Sequence, residues 1–193
     1  MEKVCTWALN SELERHYHDT EWGIPTFDDN HLFECISLEG AQAGLSWLTV
    51  LKKREGYRRA FLNFDISQLA SVETPDIEHI KDNYDIIRHK GKIASVYLNA
   101  KAAVALQEEY GSLSKALWQF VEGSPQVNHF NSAEEVPNYT EASKAMSKFL
   151  KKRGFKFVGE TICYAFMQAT GMVNDHFVDC PSRRTESTAK DKV

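Results

Sequence analysis

The sequence of 193 residues is long enough for one domain, and its hydrophobic content of 42% and charged content of 26% are ordinary for a soluble globular protein. No apolar run is long enough to cross a bilayer, and residues 1–10 lack the pattern of a secretory signal. We therefore expect a cytoplasmic protein without membrane contact, whose four cysteines are thiols or metal ligands rather than disulfides.

The net charge of -4 conceals an uneven distribution along the chain. The first 40 residues contain nine acidic and two basic residues, whereas the remainder contains 18 acidic and 21 basic residues. Basic residues cluster at 52–59, 88–92 and 144–156. A cluster of this kind is often a solvated helix face, but three clusters on a mildly acidic chain also fit a surface that binds phosphates of nucleic acid.

Apolar residues recur at helical spacing through the first third of the chain. Asp28 and Asp29 are placed to cap a helix that carries an apolar face through Leu38. A second helix is expected to start near Ser46 and to be weakened at Gly56.

The middle of the chain predicts a short helix, a tight turn and a long helix. Thr74 followed by Pro75 is a start signal, because proline is tolerated at the first helical position. The stretch NYDIIRHKG indicates a turn, and the long helix that follows it is expected to stop at Gly111.

The last third predicts three helices. Ser112 can cap the first of them, which ends at Gly123, and residues 124–139 indicate a loop with one possible turn after Ser132. The two remaining helices, at about 141–153 and 160–170, each end at a glycine. The fold class is therefore predicted as all-α, a compact bundle of about eight helices forming a single domain over residues 1–180. Residues 181–193 are predicted to be a disordered tail.

Two pairs of metal-binding residue types lie near the ends of the chain. Cys5 and His18 are close to the start, and His176 and Cys180 are close to the end. Two thiolates and two imidazoles suit tetrahedral zinc, although two buried thiols and two hydrogen-bonded histidines would give the same pattern. Cys35 and Cys163 lie on apolar helix faces and are interpreted as core, as is Trp118.

The segment LEGAQAGLSW, residues 38–47, contains one ionisable residue, Glu39, among small and apolar residues. A solvated helix face would carry several charges and a core segment none. The turn before the long helix raises a different possibility, since amides at a helix start can bind a phosphate. Arg88, Lys90 and Lys92 would then supply positive charge, but an ordinary helical hairpin with solubilising residues fits this segment as well.

Several long motifs together resemble the DNA-3-methyladenine glycosylase I family, which belongs to the helix-hairpin-helix glycosylase superfamily. They are YHDTEWGIP (17–25), LEGAQAGLSWLTVLKKRE (38–55), IIRHKGKI (86–93) and KKRGFKFVGETICYAFMQATGMVNDH (151–176), together with the terminal Cys/His pairs. The resemblance runs from about Cys5 to Cys180. One departure is Asp85, which stands where the family often has glycine.

The resemblance implies an all-α protein with one structural zinc ion, held by Cys5, His18, His176 and Cys180. It places the helix-hairpin-helix element at Ile86–Ile93, with Arg88, Lys90, Gly91 and Lys92 as DNA-binding residues. It also places Gly44 and Leu45, in the turn QAGLSW, beside the gap that an extruded base leaves in the duplex.

The substrate implied by the family is alkylated double-stranded DNA, and the product is free 3-methyladenine. The methylated base is a flat cation that must be rotated out of the duplex, so its pocket needs aromatic faces and a negative acceptor. Glu39 and Tyr17 are the expected catalytic and base-binding residues, with Trp7, Trp22 and Trp47 as aromatic faces. The expected reaction is monofunctional hydrolysis by a monomer, without strand cleavage.

Two alternatives remain open from the residues. The first is a helix-hairpin-helix glycosylase that removes other lesions, such as 7-methylguanine. The second is a zinc-stapled DNA-binding module without catalysis, which would not need the set formed by Glu39, Tyr17 and the tryptophans.

Overall fold

The computed structural model describes residues 3–184 and is mostly helical, as predicted. The described part of the chain forms ten α-helices rather than about eight: α1 (Glu12–Thr20), α2 (Asp29–Gln42), α3 (Trp47–Lys52), α4 (Arg54–Ala60), α5 (Ile66–Ser71), α6 (Ile77–Asn83), α7 (Lys90–Tyr110), α8 (Leu113–Trp118), α9 (Glu141–Lys152) and α10 (Glu160–Ala169). No described helix is long and apolar enough to cross a membrane. The predicted disorder of the tail falls mainly on residues 185–193, outside the described residues.

Three predicted helix starts are confirmed by their side-chain caps. Asp28 accepts a hydrogen bond from the His31 amide at 2.8 Å, and Ser46 and Ser112 cap α3 and α8 in the same way. These starts were predictable because a cap is a local interaction, formed between residues three positions apart.

Other helix boundaries differ from the prediction. The helix expected to start at Thr74 starts instead after Asp76, whose carboxylate accepts from the His79 amide at 2.9 Å. The helix expected from Ser46 is broken at Lys53 into α3 and α4. Helices α1 and α5 were not predicted, and they account for part of the larger number.

The main core is formed by the apolar faces of α2, α7 and α10. Phe33, Ala100 and Phe166 are each fully buried in it. Trp118 is also buried and donates from its indole N–H to the Thr26 carbonyl at 3.0 Å, as its assignment to the core required. Both Cys35 and Cys163 are buried thiols, so their assignment to the core is confirmed as well.

An ion-pair network lies inside the molecule where the sequence indicated surface charge. Arg54 is 9% exposed and binds both carboxylate oxygens of Glu21, at 2.6 and 2.7 Å. It also donates to Glu34 at 2.7 Å, and Glu34 accepts from Arg58 at 2.8 Å. Two arginines of the 52–59 cluster therefore bind carboxylates of the same chain, contacts that neither a solvated helix face nor a phosphate surface, the two interpretations left open by the sequence, includes.

Two short strands, which the sequence did not indicate, pair in parallel. They are β1 (Gln126–Val127) and β2 (Val173–Asn174), with Gln126 opposite Val173. The pairing ties the loop at 124–139 to the segment that follows α10. It thereby fixes the start of the segment that carries His176.

Gly56 permits a close approach between α4 and the connection from α6 to α7. A Cβ atom at this position would lie 2.0 Å from the carbonyl oxygen of Asp85. The Asp85 carboxylate accepts from Lys53 at 2.6 Å, which holds the same two segments together. Gly56 was predicted to weaken the helix, and the structure shows that the missing side chain allows this contact.

Gly56→Ala should lower the free energy of unfolding by about 1–3 kcal/mol or more, because the added methyl group meets backbone that cannot move away freely. Urea unfolding of the two proteins measures the difference. Gly159→Ala is the matched control, since no heavy atom lies within 4 Å of the equivalent Cβ. Equal midpoints for the Gly56 variant and the unchanged protein would show that the contact is not close.

Candidate functional site

A cavity of about 540 Å³ lies between the N-terminal segment, α2, α3 and α10. The five residues that were predicted to bind a base all line it: Trp7, Tyr17, Trp22, Glu39 and Trp47. They come from four separate helical segments and the turn after α1, so the fold brings together residues that are distant in sequence.

The aromatic side chains contact one another at steep angles around the cavity. The ring centroids of Trp7 and Trp22 are 5.2 Å apart with an interplanar angle of 71°, and those of Tyr17 and Trp47 are 5.3 Å apart at 46°. The indole N–H of Trp47 is buried and has no hydrogen-bond partner among the described residues. The arrangement encloses a space suited to a flat ring and leaves one donor unsatisfied.

Glu39 is the most unusual residue of the cavity. Its side chain lies near the C-terminal end of α2, it is 5% exposed, and within residues 3–184 its carboxyl group makes no hydrogen bond or ion pair. Burial raises the pKa of Glu39 to about 8. In the ligand-free protein the carboxyl group is therefore mainly protonated at neutral pH, because no partner compensates for burying its charge.

Tyr17 lies close to Glu39 and is equally enclosed. Burial, and next the charge of the nearby Glu39 carboxylate, raise the pKa of Tyr17 well above its ordinary value. The phenol is therefore a neutral hydroxyl group, and it has no hydrogen bond within the described part of the chain. With the Trp47 indole N–H, three polar groups that lack partners within the described residues thus line one cavity, which is the arrangement expected of a ligand site.

A further polar group on the cavity wall, Asp175, was missed by the sequence analysis. Asp175 is 2% exposed and accepts hydrogen bonds from the Tyr164 hydroxyl, from Gln168 at 3.0 Å and from Asn128 at 2.7 Å. Unlike Glu39, it has donors on both oxygens, so it is a fixed part of the wall. Tyr164 and Gln168 are four residues apart on α10, a spacing that could have indicated a shared polar contact.

The four terminal Cys and His residues form one buried cluster. Their candidate ligand atoms all lie within 4.8 Å of one another. The Cys180 sulfur is 3.6 Å from His18 Nε2 and 3.6 Å from His176 Nδ1, while Cys5 Sγ is 3.8 Å from His176 Nδ1. Two sulfurs and two nitrogens at these separations match the edges of a small tetrahedron.

The second nitrogen of each histidine in the cluster faces a hydrogen-bond acceptor. His18 Nδ1 is 2.7 Å from the Asp19 carboxylate, and His176 Nε2 is 3.0 Å from the Trp22 carbonyl. Acceptors in these positions hold the proton on the outward nitrogen and leave the inward nitrogen free as a metal ligand. The donor set therefore fits a zinc ion.

The basic residues before α7 differ from one another in their surroundings. Arg88 is exposed and lines an open groove that also contains Leu45. Lys90 forms an ion pair with Glu78, and Lys92 donates to backbone carbonyls inside the protein.

The remaining predicted DNA-binding residues lie near this groove. Gly91 approaches the ring of His89, which accepts from the Lys92 amide at 3.0 Å and so caps α7. Gly44 has a φ of +80°, which favours glycine, and Leu45 next to it is 40% exposed. The structure therefore places Arg88 and Leu45 together, but it directs Lys92 away from any external phosphate.

Comparison with known proteins identifies close relatives. A family model for methyladenine glycosylase matches residues 7–184. DNA-3-methyladenine glycosylase 1 of Escherichia coli (strain K12) is 50% identical over 176 residues, covering 91% of this chain and 94% of the relative. DNA-3-methyladenine glycosylase of Haemophilus influenzae is 50% identical over 179 residues, covering 93% and 97%. Among solved structures, that of 3-methyladenine DNA glycosylase I from Staphylococcus aureus, which describes the basis of 3-methyladenine recognition, has a TM-score of 0.91 at 34% identity. The match covers 94% of this chain and 97% of that structure's chain.

The raised pKa of Glu39 predicts a pH dependence of stability. The folded protein retains this proton up to a pKa of about 8, whereas the unfolded chain releases it near the ordinary value of 4.5. Between these values the folded state binds more protons, so its stability should fall as pH rises, by about 3–6 kcal/mol in total from this group.

Glu39→Gln should remove that loss, so the variant should gain stability relative to the unchanged protein from pH 5 to pH 8. Urea unfolding at several pH values measures the difference between the two proteins, which isolates Glu39 from other titrating groups. A difference that stays constant with pH would contradict the buried, unpaired carboxyl group.

Proposed function

The chain belongs to the methyladenine glycosylase family, and we propose that its cavity receives the extruded base of alkylated DNA. The protein is a DNA-3-methyladenine glycosylase, which hydrolyses the N-glycosidic bond of 3-methyladenine in base-excision repair. The observation that best supports the role of the cavity is Glu39, a carboxyl group buried without a partner among aromatic rings.

Recognition of the base rests on charge and on hydrogen bonds. In DNA the 3-methylated adenine is a cation, and the faces of the cavity tryptophans attract cations by about 0.5–2 kcal/mol each. A cation beside Glu39 also lowers the pKa of that carboxyl group, so the bound base is met by a carboxylate. The neutral hydroxyl of Tyr17 forms a further hydrogen bond to the edge of the base. An unmethylated base would leave these buried groups without suitable partners.

The reaction is hydrolysis without a covalent enzyme intermediate. The bond between the sugar C1′ and the base nitrogen breaks, and the base leaves with the electron pair, which neutralises its positive charge. A water oxygen forms the new bond to C1′ and loses a proton to solvent. No lysine of the described residues lines the cavity, so a Schiff base and strand cleavage are not part of the mechanism.

We place the duplex on the side of the molecule that carries Leu45 and Arg88, with the helix-hairpin-helix element at Ile86–Ile93. The groove that these residues share supports the placement. The side chain of Leu45, exposed at a turn beside the cavity helix, would fill the gap left by the base. We also propose that residues 1–180 act as one domain and that the enzyme works as a monomer. A wider range of lesions remains the rival proposal for the substrate.

We propose that Cys5, His18, His176 and Cys180 bind one zinc ion, whose role is structural. Four protein ligands leave no open coordination position for substrate or water. The compact donor set and the outward acceptors of both histidines support this proposal. A bound ion would hold residues 5–18 against the segment that carries His176 and Cys180.

Cys180→Ala should abolish zinc binding and lower the melting temperature by several degrees or more, since each kcal/mol shifts it by roughly 2–4 °C in a chain of this size. Elemental analysis and thermal unfolding measure the two effects. The matched control is Cys163→Ala, a buried thiol outside the cluster, which should lose some stability but keep its zinc. Folded, carefully purified protein without zinc would refute the proposal.

Glu39→Gln should reduce release of 3-methyladenine from methylated DNA while leaving affinity for duplex DNA unchanged. The amide keeps the shape but loses the charge and places a donor beside a cation. A charge-assisted hydrogen bond is worth about 1.5–3 kcal/mol, so the rate should fall roughly ten- to more than a hundredfold. Tyr17→Phe should act in the same direction but less, because it removes a neutral partner.

Chromatography of the bases released from methylated DNA measures both variants and also identifies the lesions that the enzyme accepts. Wild-type release by the Glu39 variant would exclude the proposed role of this residue. Release of 7-methylguanine at a similar rate to 3-methyladenine would favour the wider substrate range.

A further inference from the structure

Lys92 links the start of α7 to the end of α2. Its ammonium group donates to the Ala41 carbonyl at 3.0 Å and to the Ala43 carbonyl at 2.7 Å. These carbonyls lie at the last turn of α2, where backbone acceptors lack partners within the helix. A cation at this end also interacts favourably with the helix dipole.

The carbonyls bound by Lys92 lead directly into the exposed turn at residues 43–46. Inside the turn, the Leu45 amide donates to the Gln42 carbonyl at 2.7 Å, and the Gln42 side chain donates to the Leu45 carbonyl at 3.0 Å. Ser46 then caps α3, which carries Trp47. Among residues 3–184, Lys92 provides the polar contact that fixes this turn from a distant part of the chain.

We propose that Lys92 is a positioning residue, which holds the turn at 43–46 in the conformation that inserts Leu45 into the duplex and keeps the base extruded. The proposal rests on the proposed function of the cavity. It assigns Lys92 a role different from that of Arg88, although both belong to the same basic cluster.

The surroundings of the two residues support this division. Arg88 is exposed and makes no hydrogen bond or ion pair within the described part of the chain, so its guanidinium group is available to a phosphate. The Lys92 side chain is partly buried and spends two of its N–H donors on backbone carbonyls. To bind a phosphate, the Lys92 ammonium group would have to give up its hydrogen bonds to those carbonyls. A positioning role instead depends on these hydrogen bonds.

The test compares Lys92→Met, which keeps the apolar stem of the side chain, with the unchanged enzyme. Single-turnover release of 3-methyladenine from methylated duplex, at saturating enzyme, should be slower by roughly tenfold, the effect of losing a charged hydrogen-bonding group. The affinity for duplex DNA should stay within about twofold of that of the unchanged enzyme, because no phosphate contact is removed. For the same reason, the slope of its salt dependence should be unchanged. Binding of free 3-methyladenine, followed by tryptophan fluorescence, should also be unchanged.

Two variants complete the experiment. Lys101→Met is the matched control, an exposed lysine of α7 without polar contacts in the described residues, and should behave as the unchanged enzyme. Arg88→Met should instead weaken duplex binding and flatten its salt dependence. A Lys92 variant that resembles Arg88→Met, with a normal saturated rate, would overturn the proposal, as would one that is fully active.

Further readouts separate the remaining explanations. The fluorescence of 2-aminopurine placed at the extruded position should show less extrusion with Lys92→Met. If this variant unfolds, Lys92→Gln retains a neutral N–H donor group on a shorter side chain and should give an intermediate rate at normal stability, whereas a normal rate would overturn the positioning role. If the unchanged enzyme released no 3-methyladenine, the proposed function itself would fail, a result distinct from failure of the Lys92 variant alone.

Discussion

Contact between the two ends of the described chain is the constraint on which the cavity depends. Trp7 and Tyr17 come from the N-terminal segment, whereas the opposite wall contains Tyr164 and Asp175. The segments meet at the Cys/His cluster, where the Cys180 sulfur lies 3.6 Å from His18 Nε2, and a backbone hydrogen bond from Lys3 to Asp179 at 3.2 Å also joins them. These contacts between the two ends of the described chain therefore also hold the two walls of the cavity together.

The cluster and the cavity also share side-chain contacts. The Trp22 ring stacks on His18 with centroids 5.8 Å apart and meets the edge of His176 at 4.8 Å. The Trp7 ring contacts His18 at 5.4 Å, and both tryptophans face the cavity. Packing of this kind restricts the rotamers of the aromatic wall, so a flat ligand meets surfaces that need little reordering on binding.

The sequence predicted those features that depend on neighbouring residues. Helix starts such as Asp28 and ends such as Gly111 follow from contacts within one turn, and they were found correctly. The internal partners of Arg54, the contacts of Lys92 and the pairing of β1 with β2 join positions 20 to 51 residues apart. Hydrophobic periodicity carries no information about such pairs. A lysine on a helix gives the same sequence pattern whether its ammonium group faces solvent or binds a backbone carbonyl. Glu39 was an exception, because a single charge in an apolar segment is itself a signal.

If Glu39 binds the base as proposed, selectivity for a cation follows from the state of this residue in the empty cavity. A carboxyl group with a pKa of about 8 is mainly neutral at physiological pH, so the ligand-free protein avoids most of the cost of a buried charge. A neutral base gains only an ordinary hydrogen bond from this group. It must also present an acceptor to the one O–H donor of the protonated acid. A cationic base instead stabilises the ionised form, and the resulting charge pair lies where water does not screen it. When the glycosidic bond breaks, the leaving base becomes neutral and that pair is lost. Release of the product is then favoured by the same burial that made the charged substrate bind.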